Sequence, residues 1–405
     1  MQLFEPIKIG NVNLENRIVR SATFEGMCDQ QGFPTEKYFN LYRDLSKNNI
    51  GAIITGFAYI SSCGRAMHPG QAGIDEDAKI SYYKRVCHKV HENGSKIFMQ
   101  IAHSGRQTMP QAVGGVVKGV SQKKSPYFQS APTQMSADEV KILIGRFAEA
   151  AKRCQESGFD GVQLHAAHGY LIHQFLLPSI NDRKDEFGID RQSRIGTLFL
   201  KLIIREIRAK CGQDFPILIK ISASDDYATT FTQNHFVQLV RFLDEMRVDA
   251  IEISYGTMDC ALNIFRGESV PLDTILELNP RYRTRNIFRR FLTKRIIYPV
   301  AKHRFKKFTP AYNLHWAQMA KRFTKIPIVC VGGFRKMEDM TAAIENQNTD
   351  IVSICRPFIC EPDLIHKIKM NESYQAKCLN CNMCAVMCDS GRSTRCYFGH
   401  YKLGE

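Results

Sequence analysis

The chain has 405 residues, 44% of them hydrophobic, enough to bury the core of one large α/β unit or of two ordinary domains. Its 55 Lys and Arg outnumber 40 Asp and Glu, a net charge of +15. No apolar run approaches the roughly 20 residues that span a bilayer, and "MQLFEPIKIG" lacks the basic start and apolar stretch of a secretory signal, so a cytoplasmic protein with reduced thiols is expected.

In chain order, short β-rich apolar runs fall at 17–23, 51–57, 96–102, 160–166, 217–222, 249–255, 327–333 and 350–356, separated by amphipathic stretches. The clearest helix is "SADEVKILIGRFAEAAKRCQESG" (136–158): Ser136 is its N-cap, Glu139 completes a capping box and Gly158 closes it. Eight strands, each followed by a helix, predict an α/β fold of the (β/α)8 TIM-barrel class. The barrel is assigned to residues 1–370 and a Cys-rich tail to 371–405. Two insertions follow strand C-termini, and so lie on the catalytic face: 104–135, rich in Gly, Pro, Ser and Gln, and about 257–312. Within the second, 281–307 holds 11 Lys and Arg and no acid, leaving 44 basic and 40 acidic residues for the rest of the chain. Three readings of it stay open: a lid attracting a phosphorylated substrate, an amphipathic helix for an anionic membrane surface, or a solvated surface helix.

"HAAHGY" sets His165, His168 and Tyr170 just past the fourth strand, where barrel active sites are built. Two imidazoles three residues apart can converge on one carbonyl oxygen and stabilise an enolate, and the phenol can deliver a proton to the adjacent carbon. The plainer alternative is that these residues cap the strand. "VGGF" (331–334) and "CRPF" (355–358) follow strands seven and eight, the usual phosphate-binding position in barrels. Gly332 and Gly333 let backbone N–H groups approach a phosphate, and Arg356, after Cys355, can pair with it. In the tail, Cys378, Cys381 and Cys384 form C-x2-C-x2-C, and Cys396 follows after eleven intervening residues. In a reducing compartment such a group reads as metal ligation rather than disulfides.

From "LFEPIKIGNVNLENRIVRSAT" to "RPFICEPDLI", and most specifically in "QLHAAHGYLIHQFLLPSINDRKDEFG" (163–188), the chain resembles the old yellow enzyme family of FMN-dependent oxidoreductases. The resemblance implies that FMN binds at the barrel mouth, that His165 and His168 bind the substrate oxygen and that Tyr170 is the proton donor. It places Ala22 and Thr23 on the isoalloxazine, Phe57 among the cofactor contacts, Gln100 on the flavin edge, and Gly332, Gly333, Cys355 and Arg356 at the phosphate. Lys220 stands where the family usually has arginine beside the flavin N1/O2 edge, keeping the charge but losing the planar fork. Phe24 stands where relatives often carry Thr or Cys, so the flavin potential is expected to differ.

The iron–sulfur branch, with 2,4-dienoyl-CoA reductase and trimethylamine dehydrogenase, adds a similar cysteine tail. It implies a [4Fe–4S] cluster on Cys378, Cys381, Cys384 and Cys396, with Cys388 as an alternative fourth ligand and structural zinc as the alternative metal. In two-flavin relatives a following FAD domain feeds the cluster. Here the chain stops nine residues after Cys396, so NAD(P)H or an electron-transfer protein is the expected reductant. The implied activity is ene-reduction of an α,β-unsaturated carbonyl, an enone or enoyl-CoA, by an expected homo-oligomer. Alternatives are an amine dehydrogenase exporting electrons through the cluster, or an RNA-modifying flavin barrel. The latter is disfavoured because the chain has no Asn-x-Gly-Cys-Pro stretch.

Overall fold

The computed structural model describes residues 2–226 and 230–399. Eight strands form one closed parallel sheet: β1 (Ile18–Arg20), β2 (Ala52–Ile54), β3 (Lys96–Ala102), β4 (Gly161–Ala166), β5 (Ile217–Ser222), β6 (Ala250–Ser254), β7 (Ile328–Val331) and β8 (Ile351–Ile354). Each pairs with its chain neighbours, and β8 closes onto β1. A helix follows each strand, seven returning the chain to the next strand and the eighth after β8: α1 (Glu36–Ser46), α2 (Ile80–Glu92), α3 (Ala137–Glu156), α4 (Leu198–Cys211), α5 (Gln233–Glu245), α6 (Leu314–Lys321), α7 (Met337–Glu345) and α8 (Leu364–Met370). The expected TIM barrel is therefore the observed one. Helix α3 carries the anticipated capping box at Ser136 and Glu139, and Gly158 adopts φ +88° beyond its end.

The lumen follows from the two-residue period of a strand, which turns alternate side chains to the axis. Its lower layer is apolar: Val19, Ala52, Ile54, Phe98, Leu218, Ala250, Val329 and Ile351 pack together. An antiparallel hairpin, Ile7–Ile9 with Val12–Leu14, plugs that end with Ile9 and Leu14. One step towards the strand C-termini the inward residues become polar. Ser21, Gln100, Gln163, Lys220, Glu252 and Ser353 are all buried. The far larger apolar core fills the space between barrel and helices.

The two insertions meet over the upper end. Arg106 of the first makes a buried ion pair with Asp259 of the second at 2.5 Å, and Gln107 and Ser125 donate to the same carboxylate at 3.0 and 2.9 Å. The tail crosses the same face. Its helix, Met383–Asp389, touches the insertion helix Leu272–Leu278, where Thr274 Oγ1 lies 3.5 Å from Met383 Sδ. Beyond it, Thr394 N–H donates to the Glu25 carbonyl (2.7 Å) and Ser393 Oγ to that of Gly26 (3.0 Å). Among the described residues no helix is long and apolar enough to cross a membrane.

Candidate active site

The floor of the cleft is one hydrogen-bonded network. Glu252 Oε1 accepts from Ser21 Oγ (2.6 Å) and Ser353 Oγ (2.8 Å), and Oε2 accepts from Gln163 Nε2 (2.8 Å). Lys220 Nζ lies 3.2 Å from the same carboxylate and donates to Ser21 Oγ at 2.7 Å. Gln100 Nε2 donates to Gln163 Oε1 (2.7 Å). Register explains the convergence, because Lys220 is level with both His165 and Glu252, and Gln100 with Gln163. Burial pushes the Glu252 carboxyl up, but Lys220 and the three donors outweigh it and hold the group below its usual range.

His165 is the penultimate residue of β4, and beyond Ala166 the chain turns sharply. His168 takes φ +59°, a left-handed conformation rare outside glycine, and Gly169 follows at +76°. The turn is pinned by the His168 N–H donating to Ser222 Oγ (3.0 Å) and by the Met258 N–H donating to the His168 carbonyl (2.9 Å). It brings the His165 ring within 5.0 Å of His168 and 4.7 Å of Tyr170, centroid to centroid. Phe57 packs 5.2 Å from Tyr170, and Phe24 lies 5.8 Å from Phe57. His168 Nε2 is 2.8 Å from Ser254 Oγ, whereas the buried His165 Nδ1 has no partner among the described residues. Burial, with help from Lys220, holds both imidazoles well below their usual range, so both are neutral at pH 7. Burial, with Asp389 and Cys388 adding to it, raises the Tyr170 phenol and keeps it protonated.

His165, His168, Tyr170, Ala22, Thr23, Phe57, Gln100, Lys220, Gly332, Gly333, Cys355 and Arg356 all line one cleft at the C-terminal end of the barrel. The orphaned His165 Nδ1 and the neutral donors around it suit a polar ligand lying across aromatic walls, as a flavin with an oxygen-bearing substrate would. Arg356 lines the cleft and is also tied to the tail. Its guanidinium donates to Asn382 Oδ1 of the tail (2.7 Å) and to the Arg266 carbonyl (2.8 Å). Gly332 and Gly333 have φ of +131° and +88°, and a Cβ on either would strike the 309–312 segment.

Several cleft residues had no sequence signal. Asp389 enters from the tail helix, where Asn279 Nδ2 and Tyr127 Oη donate to its Oδ2 (2.8 and 3.2 Å), and His68 Nε2 stands 3.8 Å from Oδ1. Burial pushes Asp389 up to about 7, against the pull of those two donors, and pushes His68 down to about 4. Met258, Ala261, Ile264 and Phe265, from the start of the second insertion, complete the apolar wall.

The chain matches the NADH:flavin oxidoreductase / NADH oxidase family over residues 2–265 and 287–375. It belongs to that family. It is 34% identical over 275 residues to the NADPH dehydrogenase of Bacillus subtilis (strain 168), covering 66% of this chain and 78% of that one. It is 28% identical over 393 residues to the NADH oxidase of Thermoanaerobacter brockii, and 27% identical over 395 residues to the cinnamate reductase of Clostridium sporogenes (strain ATCC 7955 / DSM 767 / NBRC 16411 / NCIMB 8053 / NCTC 8594 / PA 3679). Those two matches cover 96% and 94% of this chain, which spans about half of each relative's length, 54% in both cases. Among solved structures, 2-naphthoyl-CoA reductase superposes with a TM-score of 0.82 at 22% identity, over 98% of this chain and 56% of that one. The old yellow enzyme homologue of Zymomonas mobilis gives 0.72 at 22% identity, over 93% and 94%. Both likenesses concern the fold. The family is one of flavin oxidoreductases, and this chain carries its barrel.

The tail cysteines of this flavin oxidoreductase gather beside the cleft. Cys378, Cys381, Cys384 and Cys396 line one small cavity with Cys360, whose thiol contacts that of Cys396. Cys388 is not among its lining residues; it is buried, with Sγ 2.8 Å from Thr394 Oγ1. Among the described residues no three His, Cys, Asp or Glu side chains stand close enough to hold a metal ion as placed.

Proposed function

We propose that this flavin oxidoreductase is an ene-reductase that reduces the C=C bond of an α,β-unsaturated carbonyl compound. The observation that carries the proposal is the meeting of His165, His168 and Tyr170 at the cleft, two neutral imidazoles and a protonated phenol. FMN, when bound among these residues, would supply hydride chemistry, with NAD(P)H or a protein donor as the source of electrons. His165 and His168 each offer one N–H to the carbonyl oxygen, which gains charge as the hydride arrives; preorganised donors in a dry site stabilise such charge strongly. Tyr170 gives its proton to the α-carbon. Phe24, Phe57 and Met258 exclude water and stack against flat, conjugated substrates. A cinnamate reductase and a 2-naphthoyl-CoA reductase among the similar proteins accord with aromatic enoates or enoyl-CoAs as the substrate class.

The same reading assigns the cofactor contacts. Ala22, Thr23, Phe57, Gln100 and Lys220 would hold the ring system, with the Lys220 charge favouring an anionic reduced flavin. Gly332, Gly333, Cys355 and Arg356 would hold the phosphate. Cys378, Cys381, Cys384 and Cys396 have the donor chemistry for a [4Fe–4S] cluster, with zinc as the competing occupant; their shared cavity favours Cys396 over Cys388 as the fourth ligand.

Stopped-flow kinetics test the mechanism. Tyr170→Phe is expected to slow enone reduction by about 10²–10⁴-fold, the usual worth of a general acid, while leaving flavin reduction by NAD(P)H unchanged. A His165→Ala/His168→Ala variant should lose enone reduction likewise. Normal enone turnover by both variants would refute the mechanism.

A further inference from the structure

The basic segment of the second insertion plays no part in the proposed chemistry. Asn286 caps a helix by accepting the Arg289 N–H (2.9 Å). The chain then stays helical as Ile287–Leu292, a π turn Thr293–Ile297, Tyr298–Ala301 and a 3-10 turn Lys302–Arg304. One side faces the protein: Arg290 and Lys294 pair with Asp273 of the helix Leu272–Leu278, and Tyr298 packs on Phe305. The other side should be polar in a solvated helix. Instead it exposes Ile287 (84%), Phe288 (71%), Phe291 (58%), Ile296 (54%), Ile297 (52%) and Val300 (71%).

The π turn gathers that face. In an unbroken α-helix Phe291 and Val300 would lie about two and a half turns apart, on opposite sides. A π turn holds one more residue, which swings Ile296 and Val300 back towards Phe288 and Phe291. Nine of the segment's eleven cations are exposed and none of its residues is acidic. Arg281, Arg283 and Arg285 precede the helix, Arg289 and Arg295 lie on it, and Lys306 and Lys307 follow. Both ends of the insertion are tied to the cleft. Asn263 accepts the Lys306 N–H (2.7 Å), and Tyr312, a cleft residue, donates to the Ile264 carbonyl (2.9 Å).

We propose that helix 287–304 docks the protein on an anionic lipid surface. The helix lies in the headgroup plane, with Phe288, Phe291 and the aliphatic residues entering the acyl boundary and the arginine rim resting on acidic headgroups. A bilayer fits better than a protein partner because it offers an anionic plane directly over hydrocarbon and asks for no register. Docking sets the cleft beside the membrane.

Flotation of the full cofactor-loaded chain with vesicles tests this. Phosphatidylcholine vesicles containing about 30% phosphatidylglycerol should bind at least about tenfold more protein than pure phosphatidylcholine. That binding should fall steeply as salt rises from about 0.1 to about 0.5 M. Phe288→Ser/Phe291→Ser should weaken it at least about tenfold, and Arg289→Gln/Arg295→Gln should reduce the preference for acidic vesicles. Both variants should keep the wild-type melting temperature and the rate of NAD(P)H oxidation in solution. Equal binding to both vesicle types, no binding to either, or undiminished binding by the Phe288→Ser/Phe291→Ser variant would overturn the proposal. So would a solution dimer that this variant breaks, which would make the face an interface between copies.

Discussion

The hydroxyl of Ser254, the last residue of β6, lies 2.8 Å from Nε2 of His168, a residue held at φ +59°. The strained turn aims the ring and the serine fixes its rotation. Ser254→Ala should therefore let the imidazole swing and lower kcat/KM for enones by about tenfold, since a displacement of about 1 Å can cost 100-fold. Reduction of the flavin by NAD(P)H should not change, and Ser254→Thr should restore enone turnover. A loss of both half-reactions would point to general damage rather than lost positioning.

Asp389 gives the cleft a titration near neutrality. Burial holds its carboxyl at about 7, and its negative charge, once formed, raises Tyr170 further. Rising pH should therefore make Tyr170 a poorer acid. The pH profile of kcat/KM for a neutral enone should decline through about 7, and the decline should vanish in Asp389→Asn. Because the folded value lies above the ordinary one, this group favours folding most at low pH, and that contribution fades as pH rises through its folded value.

Glu252 and Lys220 form a buried pair with three hydrogen bonds to the carboxylate. Glu252→Ala would leave the ammonium without its counter-charge in a dry site, so chemical denaturation should show a loss of about 3–5 kcal/mol. The carboxyl is held below its usual range. Its contribution is therefore present above the unfolded carboxylate value and is lost as pH falls through the lower folded value. Wild type should accordingly lose more stability on acidification than Glu252→Gln.

The two candidate fourth ligands can be separated by metal analysis after anaerobic purification. Cys396→Ser should lose bound iron and sulfide, because Cys396 shares the cavity of the other three thiols. Cys388→Ser should retain both, its thiol being turned to Thr394. Zinc in place of iron and sulfide would select the other occupant.

Local patterns read well from sequence where the cause is local. The capping box of α3 involves residues three apart, and "HAAHGY" compresses the catalytic turn into six. Strand positions are legible but their upper ends are not: the pattern at 17–23 predicts one strand, yet β1 ends at Arg20, and Ser21, Ala22 and Thr23 bend into the lumen and cleft. Glu252 carries no local signal in "DAIEISY" (249–255). Its partners Gln163, Lys220 and Ser353 come from three other strands and Ser21 from just past a fourth, so only closure of the barrel reveals the network. Asp389, Tyr127, Asn279 and His68 likewise meet from four separate segments. The bond of Arg356 to Asn382 depends on where the tail lies, which no spacing encodes.

The tail's path across the cleft imposes an order on biogenesis. All eight staves and their helices are complete by Met370, but Asn380, Cys384, Cys388, Asp389 and Thr394 form part of the wall around the reacting groups. A nascent chain can therefore shape its barrel well before it can enclose a substrate, and a version cut near residue 375 should fold yet leave its chemistry open to water.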